Sequence, residues 1–245
     1  MSLLLAYSDP ALDGPTNMAR DEHLLHAEAA AGVAATLRFY GWAPPTVSLG
    51  YFQKYESLAT LPPDIRALAV VRRTTGGGAI LHDRELTYCL ILREQHPFAA
   101  RGPVELYRAI HECFRAALAE RGVESALAAE ELPLPTPRTG PFFCFEKPGR
   151  TDLLLDGVKV LGSAQRRIGG AVMQHGSLLT GTRFAAHPGR AVEGIDDAAM
   201  RLDLSERIAS ALGSDPVAAH WSADQLRDVE ARRAKYASDE WTRRY

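Results

Sequence analysis

At 245 residues, 46% hydrophobic and 24% charged, the chain has the proportions of an ordinary soluble globular protein with one sizeable core. A formal net charge of -2 and an isoelectric point near 6.5 exclude a general nucleic-acid binder, which carries a strong basic bias. The apolar start at Leu3 to Leu5 follows no basic segment and is interrupted by Asp9, so neither a signal peptide nor a membrane span fits; a cytoplasmic location is expected.

Asn17 to Ala31 is predicted as the first helix, opened by the turn residues Asp13-Gly14-Pro15-Thr16. Leu37 to Tyr40 and Thr46 to Leu49 are short β-branched or aromatic runs and are predicted as two strands around a turn at Pro44-Pro45. Ala67 to Arg72 and Leu86 to Leu92 are further strands, joined by Arg73 to Glu85. Val104, Tyr107, Ile110, Phe114 and Leu118 recur at helical spacing, which predicts a long helix over Val104 to Arg121 with Gly122 ending it. Four prolines and a glycine in Leu132 to Pro141 predict an exposed loop. Beyond it, Leu153 to Leu155, Val158 to Leu161 and Ala171 to Leu179 are predicted strands, with Asp156-Gly157 as a tight hairpin turn. Asp203 to Leu212 and Ala223 to Tyr236 are predicted as charged helices. Hairpins among the strands and a mixed element order point to an α+β (mixed α/β) fold without the doubly wound sheet of a dinucleotide-binding domain.

Two segments carry chemistry. In Arg72-Arg73-Thr74-Thr75-Gly76-Gly77-Gly78-Ala79-Ile80-Leu81-His82-Asp83 three glycines remove side chains where a backbone turns sharply or where a ligand lies against exposed N-H groups. A glycine-rich hairpin has the same composition, and no Gly-Lys-Ser/Thr follows to make a P-loop. In the second segment, Lys159 stands among apolar neighbours just after a turn, placed either for solvent or for a pocket where it meets a carbonyl or an anion. Cys89 and Cys113 lie in apolar patterns and read as buried thiols. Cys144 sits in an aromatic stretch with Lys147 and Arg150 close behind, a setting that fits an activated thiolate and an inert buried thiol alike. No Cys-x-x-Cys pair suggests zinc or a disulfide framework, and no metal site is expected. His82 and His175 fit acid, base, donor or purely structural roles.

Taken together, these segments resemble the biotin/lipoate protein ligase and octanoyltransferase superfamily over about residues 13 to 180. Asn17-Met18-Ala19 with Asp21-Glu22 and Leu24-Leu25 is similar to the opening helix, Arg72 to Asp83 to the signature loop around the acyl chain, and Asp156-Gly157-Val158-Lys159-Val160-Leu161-Gly162-Ser163-Ala164-Gln165 to the strand pair bearing the essential lysine. Trp42 to Gln53, and Cys144-Phe145 ahead of Lys159, resemble the members that use a cysteine nucleophile. The resemblance implies a catalytic domain of largely antiparallel or mixed sheets packed with helices over residues 1–200 and a short helical C-terminal extension over 201–245.

It also implies an activity: transfer of an octanoyl group from octanoyl-acyl carrier protein, through a thioester on Cys144, to a lysine of a lipoyl carrier domain. The recipients are those of 2-oxoacid dehydrogenase complexes or the glycine cleavage H protein, with no nucleic-acid or membrane partner and no cofactor. Cys144 and Lys159 take the catalytic roles; Arg73, Gly76, Gly77, Gly78, His82, Gly162, Ser163, Gln165 and His175 are expected to bind substrate, with backbone N-H groups near Gly77 and Gly78 adding to the oxyanion site. Arg150, Arg166 and Arg167 form a basic edge suited to an acidic carrier, although a solvated strand end has the same composition. The alternative is a lipoate-protein ligase that uses ATP and magnesium with the same lysine and no cysteine. A third reading, an inactive carrier-binding protein, sits poorly with the intact Lys159 and triple glycine.

Overall fold

The computed structural model describes residues 2–31, 35–129, 132 and 140–245. In chain order the elements are β1 Ser2–Leu12, α1 Gly14–Ala31, β2 Ala35–Trp42, β3 Thr46–Leu49, α2 Pro63–Arg66, β4 Ala69–Arg72, β5 Ile80–His82, β6 Arg84–Arg93 and α3 Pro97–Ala100. There follow α4 Pro103–Ala119, β7 Ala126–Leu127, β8 Leu153–Leu155, β9 Val158–Ile168, β10 Ala171–Gly181, α5 Asp197–Ala211, β11 Ser214–Ala218, α6 Ala223–Ala237 and α7 Asp239–Thr242.

An eight-stranded mixed sheet in the order β11-β1-β2-β6-β10-β9-β8-β7 forms the centre. β11, β1 and β2 run parallel, and from β2 to β7 every pairing is antiparallel. β6 explains the layering. All of Glu85 to Leu92 is buried, and a strand covered on both faces reads as a continuous apolar run. Its side chains still alternate. Leu86, Tyr88, Leu90 and Leu92 enter a core with Leu106, Ile110 and Phe114 of α4 and Met200, Leu204 and Ile208 of α5. Cys89 and Ile91 enter the opposite core with Met18, Leu24 and Leu25 of α1 and Val229 and Tyr236 of α6. A smaller sheet, β4-β3-β5, has its own core of Val47, Leu49, Leu58, Ile65, Leu81 and Phe143.

Local chemistry accounts for the boundaries that differ from expectation. α1 starts at Gly14, three residues early, because Asp13 Oδ1 accepts from the Thr16 amide at 2.8 Å and caps the first turn. β2 and β3 flank Pro44-Pro45 but do not form a hairpin; they enter different sheets. The Arg73 to Glu85 connection contains β5, which pairs antiparallel with β3. The Asp156-Gly157 hairpin is present, with φ of 49° and 78°. The proline-rich stretch from 132 to 141 lies, apart from Leu132, Gly140 and Pro141, outside the described residues. Residues 201–245 begin inside α5 and contain β11, which extends the central sheet beyond β1, so this part of the chain is not helical throughout. Among the described residues no helix is long and apolar enough to cross a membrane.

Candidate active site

Cys144 opens a short 3-10 turn, Cys144 to Glu146, whose start is fixed by the Phe143 amide donating to Glu146 Oε1 at 2.8 Å. The glycine loop docks on this turn. Ala79 donates its amide to the Phe142 carbonyl and accepts from the Cys144 amide, both at 2.8 Å. Gly78 permits the approach, since a Cβ there would stand 2.9 Å from the Cys144 nitrogen.

Lys159 meets the cysteine from β9. Its side chain is 2% exposed, and its Nζ lies 3.4 Å from Cys144 Sγ, 3.2 Å from the Cys144 carbonyl oxygen and 2.7 Å from Asp152 Oδ2. The pairing of β8 with β9 slips between Leu153 and Leu154, a bulge of the kind that re-aims a side chain. The lysine then crosses bare backbone: a Cβ on Gly162 would fall 2.2 Å from Lys159 Cε. Burial alone would pull the ammonium's pKa down, yet the negative charges of Cys144 and Asp152 outweigh it and raise the value. Asp152 is itself held by the Gly149 amide at 2.6 Å.

A buried polar shell surrounds this pair. Arg73 donates to the Ser48 carbonyl and hydroxyl at 2.7 and 2.8 Å and to the carbonyls of Gly78 and Gly76 at 2.9 and 3.2 Å, which staples the glycine loop to β3. Burial lowers its pKa to about 10, so it stays charged near neutrality. His82 bonds Glu85 Oε1 and Ser48 Oγ, each at 2.7 Å, and stacks on Trp42 at 3.6 Å. His175 bonds Thr75 Oγ1 at 2.7 Å and Asp21 Oδ2 at 3.2 Å, so its partners are side chains. Asp21 in turn pairs with Arg38 at 2.6 Å and accepts from Tyr40 at 2.8 Å.

Arg73, His82 and His175 border, together with Cys144 and Lys159, a cavity of about 490 Å³, a volume typical of small-ligand sites, whose walls also include Trp42, Tyr107 and Gly77. A buried cation beside a thiol at the wall of such a cavity can hold a thiolate and stabilise an oxyanion formed next to it. Among the described residues no cluster of three or more His, Cys, Asp or Glu is arranged to hold a metal ion.

A family model described as the lipoyl protein ligase A/B catalytic domain matches residues 13–199. The chain belongs to this family. The sequence is 41% identical over 179 residues to octanoyltransferase LipM of Geobacillus kaustophilus, covering 71% of this chain and 62% of that protein. It is 33% identical over 266 residues to octanoyltransferase LipM of Kyrpidia tusciae, covering 93% of this chain and 94% of that one. The match thus spans 62% or less of the length of several of these curated relatives. Among solved structures, lipoate-protein ligase A bound with ATP superposes with a TM-score of 0.76 at 19% identity, over 99% of this chain and 98% of that one. The bi-partite lipoate protein ligase of Thermoplasma acidophilum gives 0.72 at 19%, over 99% and 95%. At such identity these two likenesses establish the fold: mixed α+β, as expected.

Within this family domain, Cys144, Lys159, Arg73, Gly76, Gly77, His82, Gly162, Ser163, Gln165 and His175 all line the cavity, and Gly78 packs behind it against the cysteine turn. Arg73 contacts the loop that borders the cavity instead of reaching across it. Gln165 donates to Gln174 and to the Pro103 carbonyl, and Ser163 bonds Tyr88 and His111. Arg150 and Arg167 also border the cavity, while Arg166 donates to the Thr74 carbonyl. Burial pushes Cys113 up to about 11 and Cys89 well above the usual thiol value, which leaves both unreactive. Sequence reasoning missed Asp152, Asp21, Glu85 and His111. Asp152 carries no signal of its own, because an aspartate after Gly149-Arg150-Thr151 reads as a turn residue. The signal for His111 was a histidine four residues after Tyr107 on the apolar stripe of α4.

Proposed function

We propose that the chain is a protein octanoyltransferase that takes the acyl group from octanoyl-acyl carrier protein onto Cys144 and passes it to a lysine of a lipoyl carrier domain, of the kind borne by 2-oxoacid dehydrogenase complexes and the glycine cleavage H protein. One observation carries the reading: Cys144 Sγ lies 3.4 Å from the buried ammonium of Lys159 at the wall of the cavity. The octanoyltransferase names of the relatives support it. A free nucleophilic thiol suits a reducing compartment, in line with a cytoplasmic assignment.

In the first step the Cys144 thiolate attacks the donor's thioester carbonyl, the oxygen takes up negative charge facing the Lys159 ammonium, and the carrier thiolate leaves and takes a proton from water. In the second, the neutral amine of the acceptor lysine attacks the enzyme thioester, a C–N bond forms, the C–S bond breaks, and Cys144 returns as the thiolate while the nitrogen gives its extra proton to water. The donor is already activated, so no ATP enters.

Intact-protein mass spectrometry after mixing with octanoyl-acyl carrier protein and no ATP tests this. An octanoyl increment on the wild type, labile to hydroxylamine and absent from Cys144→Ala, is expected. No increment, together with ATP-dependent acylation of a lipoyl domain, would replace the transferase with a ligase.

A further inference from the structure

The two half-reactions place unequal demands on Lys159. Before acylation its ammonium has two anionic neighbours, the Cys144 thiolate at 3.4 Å and the Asp152 carboxylate at 2.7 Å. Once Cys144 carries an acyl group its sulfur is a neutral thioester. A buried ammonium with no counterion loses its proton readily, and a neutral amine is a poor donor to an oxyanion.

Asp152 is built to remain. Its Oδ2 accepts from the Gly149 amide at 2.6 Å while pairing with Lys159, and its side chain is 8% exposed. The preceding residue, Thr151, adopts a left-handed φ of 67° and is anchored by its carbonyl, which accepts from His111 Nδ1 at 2.6 Å. Because a carbonyl only accepts, Nδ1 carries the proton and Nε2 accepts from the Ser163 hydroxyl at 2.7 Å. Burial lowers the His111 pKa to about 4, so the imidazole is neutral and adds no competing charge. Among the described residues no other carboxylate pairs with Lys159. The titratable groups around the ammonium are therefore Cys144 on its turn, Asp152 before β8, and His111 and Tyr107 from α4.

We propose that Asp152 is a positioning residue specific to the second half-reaction: it is the counterion that keeps Lys159 protonated, and aimed at the thioester carbonyl, after acylation has neutralised Cys144. This rests on the transferase reading above. In the first half-reaction the thiolate itself supplies the counter-charge, so loss of Asp152 weighs less there.

The test separates the two steps. Wild type, Asp152→Asn, Asp152→Ser and Asp152→Glu are each mixed with octanoyl-acyl carrier protein, and formation of the octanoyl-enzyme is timed by mass spectrometry. The acylated proteins are freed of donor and chased with an apo lipoyl domain. For Asn, and independently for Ser, the chase is expected to slow at least tenfold more than acylation does, so that acyl-enzyme accumulates in turnover; Glu is expected to recover most of the chase rate. Equal slowing of both steps, or none, in whichever of Asn and Ser folds would overturn the proposal, as would a Glu chain that chases no faster than Asn. A wild type that never forms the adduct fails at the transferase reading instead, and the two failures are therefore told apart.

Discussion

Gly162 has to be a glycine because Lys159 lies across it. With a Cβ 2.2 Å from Lys159 Cε and 2.5 Å from Nζ, the lysine must leave its place beside Cys144. Gly162→Ala is therefore expected to lower kcat/KM for acyl transfer by about a hundredfold, the scale on which a reacting group displaced by an ångström is felt, while the unfolding temperature moves by only a few degrees. A chain of unaltered activity would contradict the placement of Lys159. His111 makes a different kind of contribution. Removing it in His111→Phe leaves the buried Thr151 carbonyl without its partner, at about 1–3 kcal/mol, whereas the Ser163 hydroxyl keeps Tyr88, so denaturant titration should show a loss of that order. None of these partnerships is readable from local sequence. Thr75 meets His175 across 100 positions, and Asp21 meets the same histidine across 154. Cys144 and Lys159 stood out because motif and residue type mark them, whereas Asp152 resembles any aspartate near a turn.

The elements legible in the sequence are those whose burial is one-sided or continuous. α4 carries an apolar stripe that faces the β6 core, and Leu86 to Leu92 of β6 is apolar but for Thr87 because helices cover both its faces. β1 escaped because Asp9-Pro10 breaks its pattern, at the point where its register with β2 shifts between Ser8 and Ala11. β11, Ser214 to Ala218, contains a proline and little apolar surface; it is tolerated as a strand because it lies at the sheet edge. The C-terminal segment also holds β4, the strand that leads into the glycine loop. Arg72, fully buried, donates from Nε and Nη2 to the Thr242 carbonyl at 3.0 and 2.7 Å, and Trp241 Nε1 donates to the Arg72 carbonyl at 3.0 Å. Arg72 adjoins the loop that carries Arg73 and the glycines. Truncation after Ala237 is thus expected to destabilise the protein by about 2–3 kcal/mol in denaturant titration, by leaving part of a buried guanidinium unpaired, and to lower acyl-transfer activity with it. Full activity and stability in the truncated chain would remove the C-terminal segment from any part in supporting the loop.

Across the whole molecule, buried carboxylates link the fold to pH. Asp21 and Glu85 are penalised by burial, yet their ion-pair and hydrogen-bond partners more than offset it, and both sit below the usual carboxylate range; Asp9 behaves likewise beside Arg38 and Arg20. A depressed folded pKa contributes stability that is present above the unfolded value, about 4, and is lost as pH falls through the folded value. The unfolding temperature should therefore hold between about pH 5 and 7 and drop steeply below about pH 4; a flat profile down to pH 3 would contradict the paired state of these groups. The same large-scale arrangement, two helical layers around one mixed sheet with the glycine loop docked on the cysteine turn, brings the thiol and the ammonium to one cavity. A single-turnover chase tests most directly whether that cavity works through a covalent intermediate. Octanoyl-enzyme freed of donor is mixed with an apo lipoyl domain without ATP, and both species are followed by mass spectrometry. The octanoyl mass is expected to leave the enzyme at the rate at which octanoyl-lysine appears; an adduct that persists while no octanoyl-lysine forms would contradict a covalent intermediate on Cys144.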